Sequence, residues 1–267
     1  MKKEKILVFT PTTARRLPLL KEILKSIYDN TEFDVKTIVV KNGTFPNKEY
    51  YDFEFGLPNV VKEESSPGGH LSKALNVGLN HITDEDWVLF IEDDFMITEK
   101  DWLRKCVDTF NSIKNCGTLG ARLHGTQRNN KYPNIFKQKD WDTFEVVWSD
   151  GITLYKGDIM REHNVRFDEN FIAAGDMCDV SHILSDLGYE NWRLPLENQH
   201  FHIGGDRAGT DKWKYAEVEA DMSNCNANLY LKWKDSDNEK IKWWIENDTK
   251  EEQEYLNEKS HRHLFYK

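Results

Sequence analysis

The run Trp87-Val88-Leu89-Phe90-Ile91-Glu92-Asp93-Asp94 decides how the rest of the chain is read. Five apolar residues in a row, bounded by charge, are the pattern of a short strand buried on both faces, as parallel sheets require. Three carboxylates follow at once. In an open α/β sheet, ligands bind outside the carboxyl ends of the strands, so these acids stand where a ligand would sit. Adjacent carboxylates repel one another, and a fold tolerates them there when a cation neutralises them. Hard oxygen donors suit Mg2+ or Mn2+, above all when diphosphate oxygens complete the shell. Short acidic runs also occur as plain solvated turns, and 31% of this chain is charged. The buried strand in front of the acids is what favours a site.

The segments upstream fit the same sheet. Residues 6–10 (ILVFT) form an apolar run ended by Pro11, and residues 17–28 place Leu17, Leu20, Ile23, Leu24 and Ile27 at helical spacing. Residues 35–40 (VKTIVV) read as a second strand, stopped by Asn42-Gly43. Strand, helix, strand makes a βαβ unit with a right-handed crossover. Residues 45–69, rich in Pro, Gly, Asn and Tyr, read as a loop. Helices are expected over 71–82 and 101–113.

Beyond about residue 120 the pattern breaks into short strand-like pieces at 145–148 and 152–155, a helix at 180–187 and a strand at 191–194. Trp243, Trp244 and Leu256 fall on the apolar sides of expected C-terminal helices. With no repeat and no linker, the chain reads as one α/β domain with three stretches: 1–120, 121–230 and a charged helical extension at 231–267.

A chain of 267 residues can bury a substantial core. The formal charge of −10 argues against general binding to nucleic acid or anionic membrane, where affinity comes from neutralising phosphates. No segment approaches the ~20 apolar residues of a membrane span. Cys106, Cys116, Cys178 and Cys225 show no CxxC and no dense pairing pattern, as expected of free thiols in the cytoplasm. Nine tryptophans are compatible with sugar-binding walls and equally with core.

Five motifs, at Thr10-Pro11-Thr12, residues 39–44, Gly68-Gly69 through Gly78, residues 90–94 and residues 165–171, stand in an order that resembles the GT-A fold of nucleotide-sugar-dependent glycosyltransferases, especially the family 2 type. Thr10-Pro11-Thr12 before an Arg-rich helix start resembles that family's opening strand. Residues 39–44 (VVKNGT) resemble the end of its second strand. Gly68-Gly69 through Ala74, Asn76 and Gly78 resembles the helix that covers the donor. Phe90-Ile91-Glu92-Asp93-Asp94 resembles its DxD metal motif, and residues 165–171 (VRFDENF) resemble its FDExF segment.

The resemblance spans about residues 5–205 and implies a Rossmann-like sheet with helices on both faces. Residues 1–120 would bind the nucleotide sugar and 121–230 the acceptor. It implies Mn2+ or Mg2+ on Glu92 and Asp94, and a donor held by Thr10, Pro11, Thr12, Asn76 and Asp93. Where the family often has an Asp reading the donor base, this chain has Lys41 or Asn42, depending on alignment. Asn can pair with the edge of uracil, so a UDP-sugar is the favoured donor.

Attack on an anomeric carbon requires deprotonation of the acceptor hydroxyl, a task for a carboxylate within hydrogen-bond reach. After FDExF this chain reads Gly175-Asp176-Met177-Cys178-Asp179. If Asp179 aligns with the family's last Asp, the usual base position falls on Met177, leaving Asp176 as the nearest substitute and Asp179 as second choice. Asp179 is also a natural helix N-cap. An Asp base implies inversion.

In several related enzymes a late His completes the metal shell, and His202, before Gly204-Gly205, matches best, ahead of His200. Residues 204–213 read as a lid, with Arg207 or Lys212 reaching the diphosphate. Trp148 and Asp150 match a segment beneath the donor sugar, and Trp148 fits a place in the core equally well. Rival readings are a nucleotidyltransferase, whose Gly-rich loop after the first strand is missing here, and a non-catalytic carbohydrate-binding protein. The acceptor stays open among glycans, lipid-linked sugars, protein side chains and hydroxylated DNA bases, the last disfavoured by charge.

Overall fold

β1 (Lys5–Thr12) sits near the middle of the parallel half of the sheet, with Ile6, Leu7, Val8 and Phe9 fully buried. The computed structural model describes residues 3–12, 16–43, 47–65, 70–121, 135–138, 144–146, 149, 151–172, 175–194, 196, 199–200 and 227–247. The pleat sends neighbouring side chains to opposite faces, so Ile6 and Val8 enter one core while Leu7 and Phe9 enter another. α1 (Leu17–Asp29) and α4 (Trp102–Ser112) cover the first face. α3 (Leu71–Leu79), α5 (Gly157–Glu162) and α6 (Asp176–Asp186) cover the second.

The remaining strands are β2 (Asp34–Lys41), β3 (Val60–Glu64), β4 (Trp87–Phe90), β6 (Cys116–Gly120), β7 (Ile135–Gln138), β8 (Phe144–Val146), β9 (Thr153–Lys156) and β10 (Glu190–Arg193). Among the described residues they form one nine-stranded sheet, ordered β3-β2-β1-β4-β9-β6-β10-β8-β7. The first four run parallel. β9 lies antiparallel between β4 and β6, and β8 and β7 extend the far edge antiparallel. A second, two-stranded sheet pairs β5 (Met96–Ile97) with β11 (Gln199–His200).

Close approach of α3 to β1 depends on Gly78. A Cβ there would lie 2.6 Å from Cδ2 of Phe9, so any larger residue forces the helix off the sheet. Residues 227–233 form α7, and α8 (Glu239–Asn247) follows. Leu229, Ile241 and Trp244 close a third apolar cluster around Phe171.

Two expectations from the sequence are corrected. The supposed loop at 45–69 contains α2 (Asn47–Asp52) and β3. β3 is an edge strand carrying Lys62, Glu63 and Glu64, so it lacks an apolar run, and such charge is how edges avoid further pairing. Tyr50 fixes this unit from beneath, its hydroxyl 2.6 Å from the Val39 carbonyl and 3.0 Å from that of Glu63. α6 also begins at Asp176, earlier than the expected 180. Its N-cap is Gly175, at φ 85°, where a side chain would be strained and would crowd Phe171.

Candidate active site

Strand register builds the site. β1 and β4 pair in parallel with Phe9 opposite Phe90, and the Ile91 N–H donates to the Phe9 carbonyl at 3.2 Å. Three residues further along each chain stand Thr12 and Asp93. Their side chains meet, the Thr12 hydroxyl donating to Asp93 Oδ2 at 2.8 Å. Arg16, the N-cap residue of α1, closes the other side. Its Nη1 lies 2.7 Å from Asp93 Oδ1 and 2.8 Å from Asp94 Oδ2. One nitrogen therefore bridges two buried carboxylates. Burial pushes the Asp93 carboxyl above the usual range, against the opposing pull of Arg16 and Thr12.

The three acids do not act alike. Asp93 and Asp94 are buried, whereas Glu92 is half-buried. Among the described residues no three His, Cys, Asp or Glu side chains converge as a metal cage; His202, expected beside Glu92 and Asp94, lies outside them. Consecutive side chains leaving a strand point different ways, so all three acids cannot reach one point. Mg2+ and Mn2+ do not require it, because one or two carboxylates plus substrate phosphates suffice for such ions. A single cationic atom already touches both Asp93 and Asp94, so the pair fits a small hard cation.

Several residues expected at the donor also have partners within the chain. Thr10 is fully buried and Thr12 nearly so, and the Thr12 hydroxyl serves Asp93. Asp93 has both oxygens engaged, by Thr12 and Arg16. Asn76 clamps the FDENF segment. Its Nδ2 donates to the Phe167 carbonyl at 2.9 Å and its Oδ1 accepts from the Phe167 N–H at 2.9 Å. Pro11 is half-buried in β1.

At the end of β2 the two alignments are distinguished by what each side chain does. Lys41 is buried and tied to Glu64 at 2.7 Å and to Asn47. Asn42 anchors its own N–H on the Thr12 carbonyl at 2.9 Å, and its buried Oδ1 has no hydrogen-bond partner among the described residues. The same holds for the buried hydroxyl of Ser65, one step past the Lys41–Glu64 register pair. Ser65 and Arg16 are the two site residues that sequence reasoning missed. The Arg-rich helix start was visible, but not which arginine turns toward the acids.

The back half presents two aspartates in different states. Asp179 is fully buried and accepts from Lys232 at 2.8 Å on Oδ2 and from Trp233 Nε1 at 2.8 Å on Oδ1. It is not the N-cap that its position suggested, because the helix starts three residues before it. Burial raises its carboxyl above the usual range, opposed by Lys232. Lys232 also holds Asp168 of the FDENF segment at 2.7 Å. Asp176 is buried at the first residue of α6, beside Tyr155 of β9.

A polar network fixes this helix beneath residue 149. Ser181 Oγ accepts from the Ser149 N–H at 3.1 Å, the Ser149 hydroxyl lies 2.5 Å from that of Thr118, and Asn191 Nδ2 donates to the Ser181 carbonyl at 3.0 Å. Asp150, Trp148, His202, Arg207 and Lys212 lie outside the described residues. β11 does set Gln199 opposite Ile97 and His200 opposite Met96, two residues past Asp94.

No helix among the described residues is long and apolar enough to cross a membrane. No curated protein sequence matches the chain. Among solved structures, it is similar to the mannosyltransferase PcManGT from Pyrobaculum calidifontis in complex with GDP-Man and Mn2+. That match has a TM-score of 0.62 at 16% identity, covering 85% of this chain and 64% of that one. It is also similar to residues 1–349 of TarS from S. aureus in complex with UDP-GlcNAc, with a TM-score of 0.58 at 16% identity over 90% of this chain and 69% of that one. At these identities the likeness is one of fold: an α/β mixed sheet of GT-A type. The sequence model described as "Glycosyl transferase family 2" matches residues 7–177, well over half of the chain, and on that match the chain belongs to glycosyl transferase family 2.

Proposed function

We propose that this protein is a metal-dependent, inverting glycosyltransferase that moves a sugar from a nucleoside-diphosphate donor to a hydroxyl acceptor. The observation that supports it most strongly is the bridging of Asp93 and Asp94 by one cationic atom, at the carboxyl ends of parallel strands β1 and β4. Asp94 would hold Mn2+ or Mg2+, with Asp93 fixed behind it. When bound, the cation supplies Lewis-acid stabilisation of the negative charge on the departing diphosphate. Glu92 and, beyond the described residues, His202 are the further ligands we assign. The pairing of β11 with β5 supports His202, because it brings the chain alongside the segment just past Asp94 two residues earlier.

The base of the donor is read at the ends of β2 and β3. Asn42 Oδ1 can accept from the N3–H of uracil, which favours a UDP-sugar. The two structural relatives carry a guanosine and a uridine nucleotide respectively, so the choice rests on Asn42. Arg207 on the diphosphate and Asp150 beneath the sugar complete the donor contacts we assign.

Asp176 is the general base. It takes the proton of the acceptor hydroxyl as that oxygen attacks the anomeric carbon from the face opposite the leaving diphosphate. Asp179 does not suit the role, since Lys232 and Trp233 hold both its oxygens. The acceptor we favour is a saccharide. Cys106, Cys116 and Cys178 are free thiols, which supports a reducing compartment such as the cytoplasm. A thermal-shift panel of UDP-, GDP-, CMP- and dTDP-sugars with Mn2+ tests the reading. Selective stabilisation by UDP-sugars supports it, and no response to any nucleotide sugar would refute it.

A further inference from the structure

Arg16 is placed with more constraint than an ordinary surface arginine. It caps a 13-residue helix whose first turns are pinned by buried Leu17 and Leu20, and its side chain is 18% exposed. Its Nη1 contacts both Asp93 and Asp94. Thr12 holds Asp93 from the other side. Any cation that binds Asp94 therefore meets a guanidinium already on the same carboxylate. Two positive centres a few ångströms apart on buried acids repel strongly, since little water screens them.

We infer that Arg16 is a built-in competitor of the divalent cation, and this rests on the metal reading of Asp94 proposed above. The contact that yields is Arg16 to Asp94, because Asp93 is anchored by Thr12. Release frees an N–H of the guanidinium beside the metal, and the incoming anion that best satisfies both is the diphosphate of a nucleotide. Without that anion, the metal must displace Arg16 with nothing to take up the freed donor. With it, the displaced contact is replaced. Metal and nucleoside diphosphate thus bind cooperatively, and Arg16 is a positioning residue that makes the cation site selective for the metal–nucleotide pair.

Calorimetry of Mn2+ binding to the full chain, alone and with UDP or GDP present, tests this on the parent and on Arg16→Ala. The parent should bind Mn2+ weakly alone and about tenfold or more tightly with the nucleotide, a typical coupling for linked sites. Arg16→Ala should bind Mn2+ alone about tenfold more tightly than the parent and lose most of the nucleotide enhancement. Arg16→Lys, which keeps the charge but not the two-pronged donor geometry, should fall between them and serves if the alanine variant is poorly folded. Unchanged or weaker Mn2+ binding by the variants alone, with the enhancement intact, would overturn the inference while leaving the metal site standing. A parent that binds no Mn2+ with either nucleotide would overturn the metal reading, and this inference with it.

Discussion

The two halves of the molecule each hold a buried aspartate against a cation, and each sets a second carboxylate close by. In the front half Asp93 is held by Arg16 and Thr12, with Asp94 next in the chain. In the back half Asp179 is held by Lys232 and Trp233, with Asp176 one helical turn before it. The difference lies in what the cation does. Arg16 touches both of its acids and shares the carboxylate assigned to the metal. Lys232 joins Asp179 to Asp168, so it ties α7 to α6 and to the FDENF segment. On the proposed reading, one pair belongs to a site that must open to a ligand, and the other is a fastener.

That contrast breaks first at the base. Asp176→Asn should lower kcat by about 10²–10⁴-fold, the usual cost of losing a general base, while nucleotide and Mn2+ binding match the parent. Steady-state kinetics alongside calorimetry measure this. Asp179→Asn dead but stable, with Asp176→Asn fully active, would exchange the two roles.

The fastener comes next. Lys232→Ala leaves Asp179 buried with only Trp233 to satisfy it, and breaking one side of a buried pair costs about 3 kcal/mol. Urea unfolding should show that loss with little change in nucleotide affinity. A drop in affinity without a drop in stability would make Lys232 part of the site.

The effect that is smallest at neutral pH concerns His182, fully buried beside Lys232's neighbours, with its ring edge-on to Trp233 and Trp244 at 5.5 and 4.8 Å. Burial first, and the Lys232 charge second, pull its pKa down to about 3. Between the ordinary value near 6.5 and this one, the unfolded chain binds a proton that the folded chain refuses. Stability from this residue is therefore complete above about pH 6.5 and falls by about 1.4 kcal/mol per pH unit below it. His182→Phe keeps the ring packing and should flatten the stability profile between pH 6.5 and 4. An unchanged slope would place the acid sensitivity elsewhere.

How much of this was legible in the sequence follows the same divide. β1, α1, β2 and β4 announce themselves because strands buried on both faces read as apolar runs and α1 as a helical stripe. The acids at the end of β4 are local to that pattern. β3 escaped because an edge strand bearing Lys62, Glu63 and Glu64 has no such run. The start of α6 escaped because Gly175, not an Asp, caps it through a backbone conformation that a sequence does not display. Lys232 and Trp233 lie 53 and 54 residues beyond Asp179, and no spacing rule links them. The family motif suggested a donor contact for Asn76 but could not show that its amide pairs with the Phe167 backbone 91 residues away.

The central claim is that Asp94 carries a cation which carries the nucleotide. Calorimetric titration of UDP and GDP into the parent and into Asp94→Asn, each with Mn2+ and with chelator, tests it most directly. The account predicts that the parent binds a nucleotide tightly only with Mn2+, and that Asp94→Asn, folded by circular dichroism, shows the weak metal-free affinity under both conditions. Asp94→Asn binding nucleotide in Mn2+ as well as the parent does would contradict it.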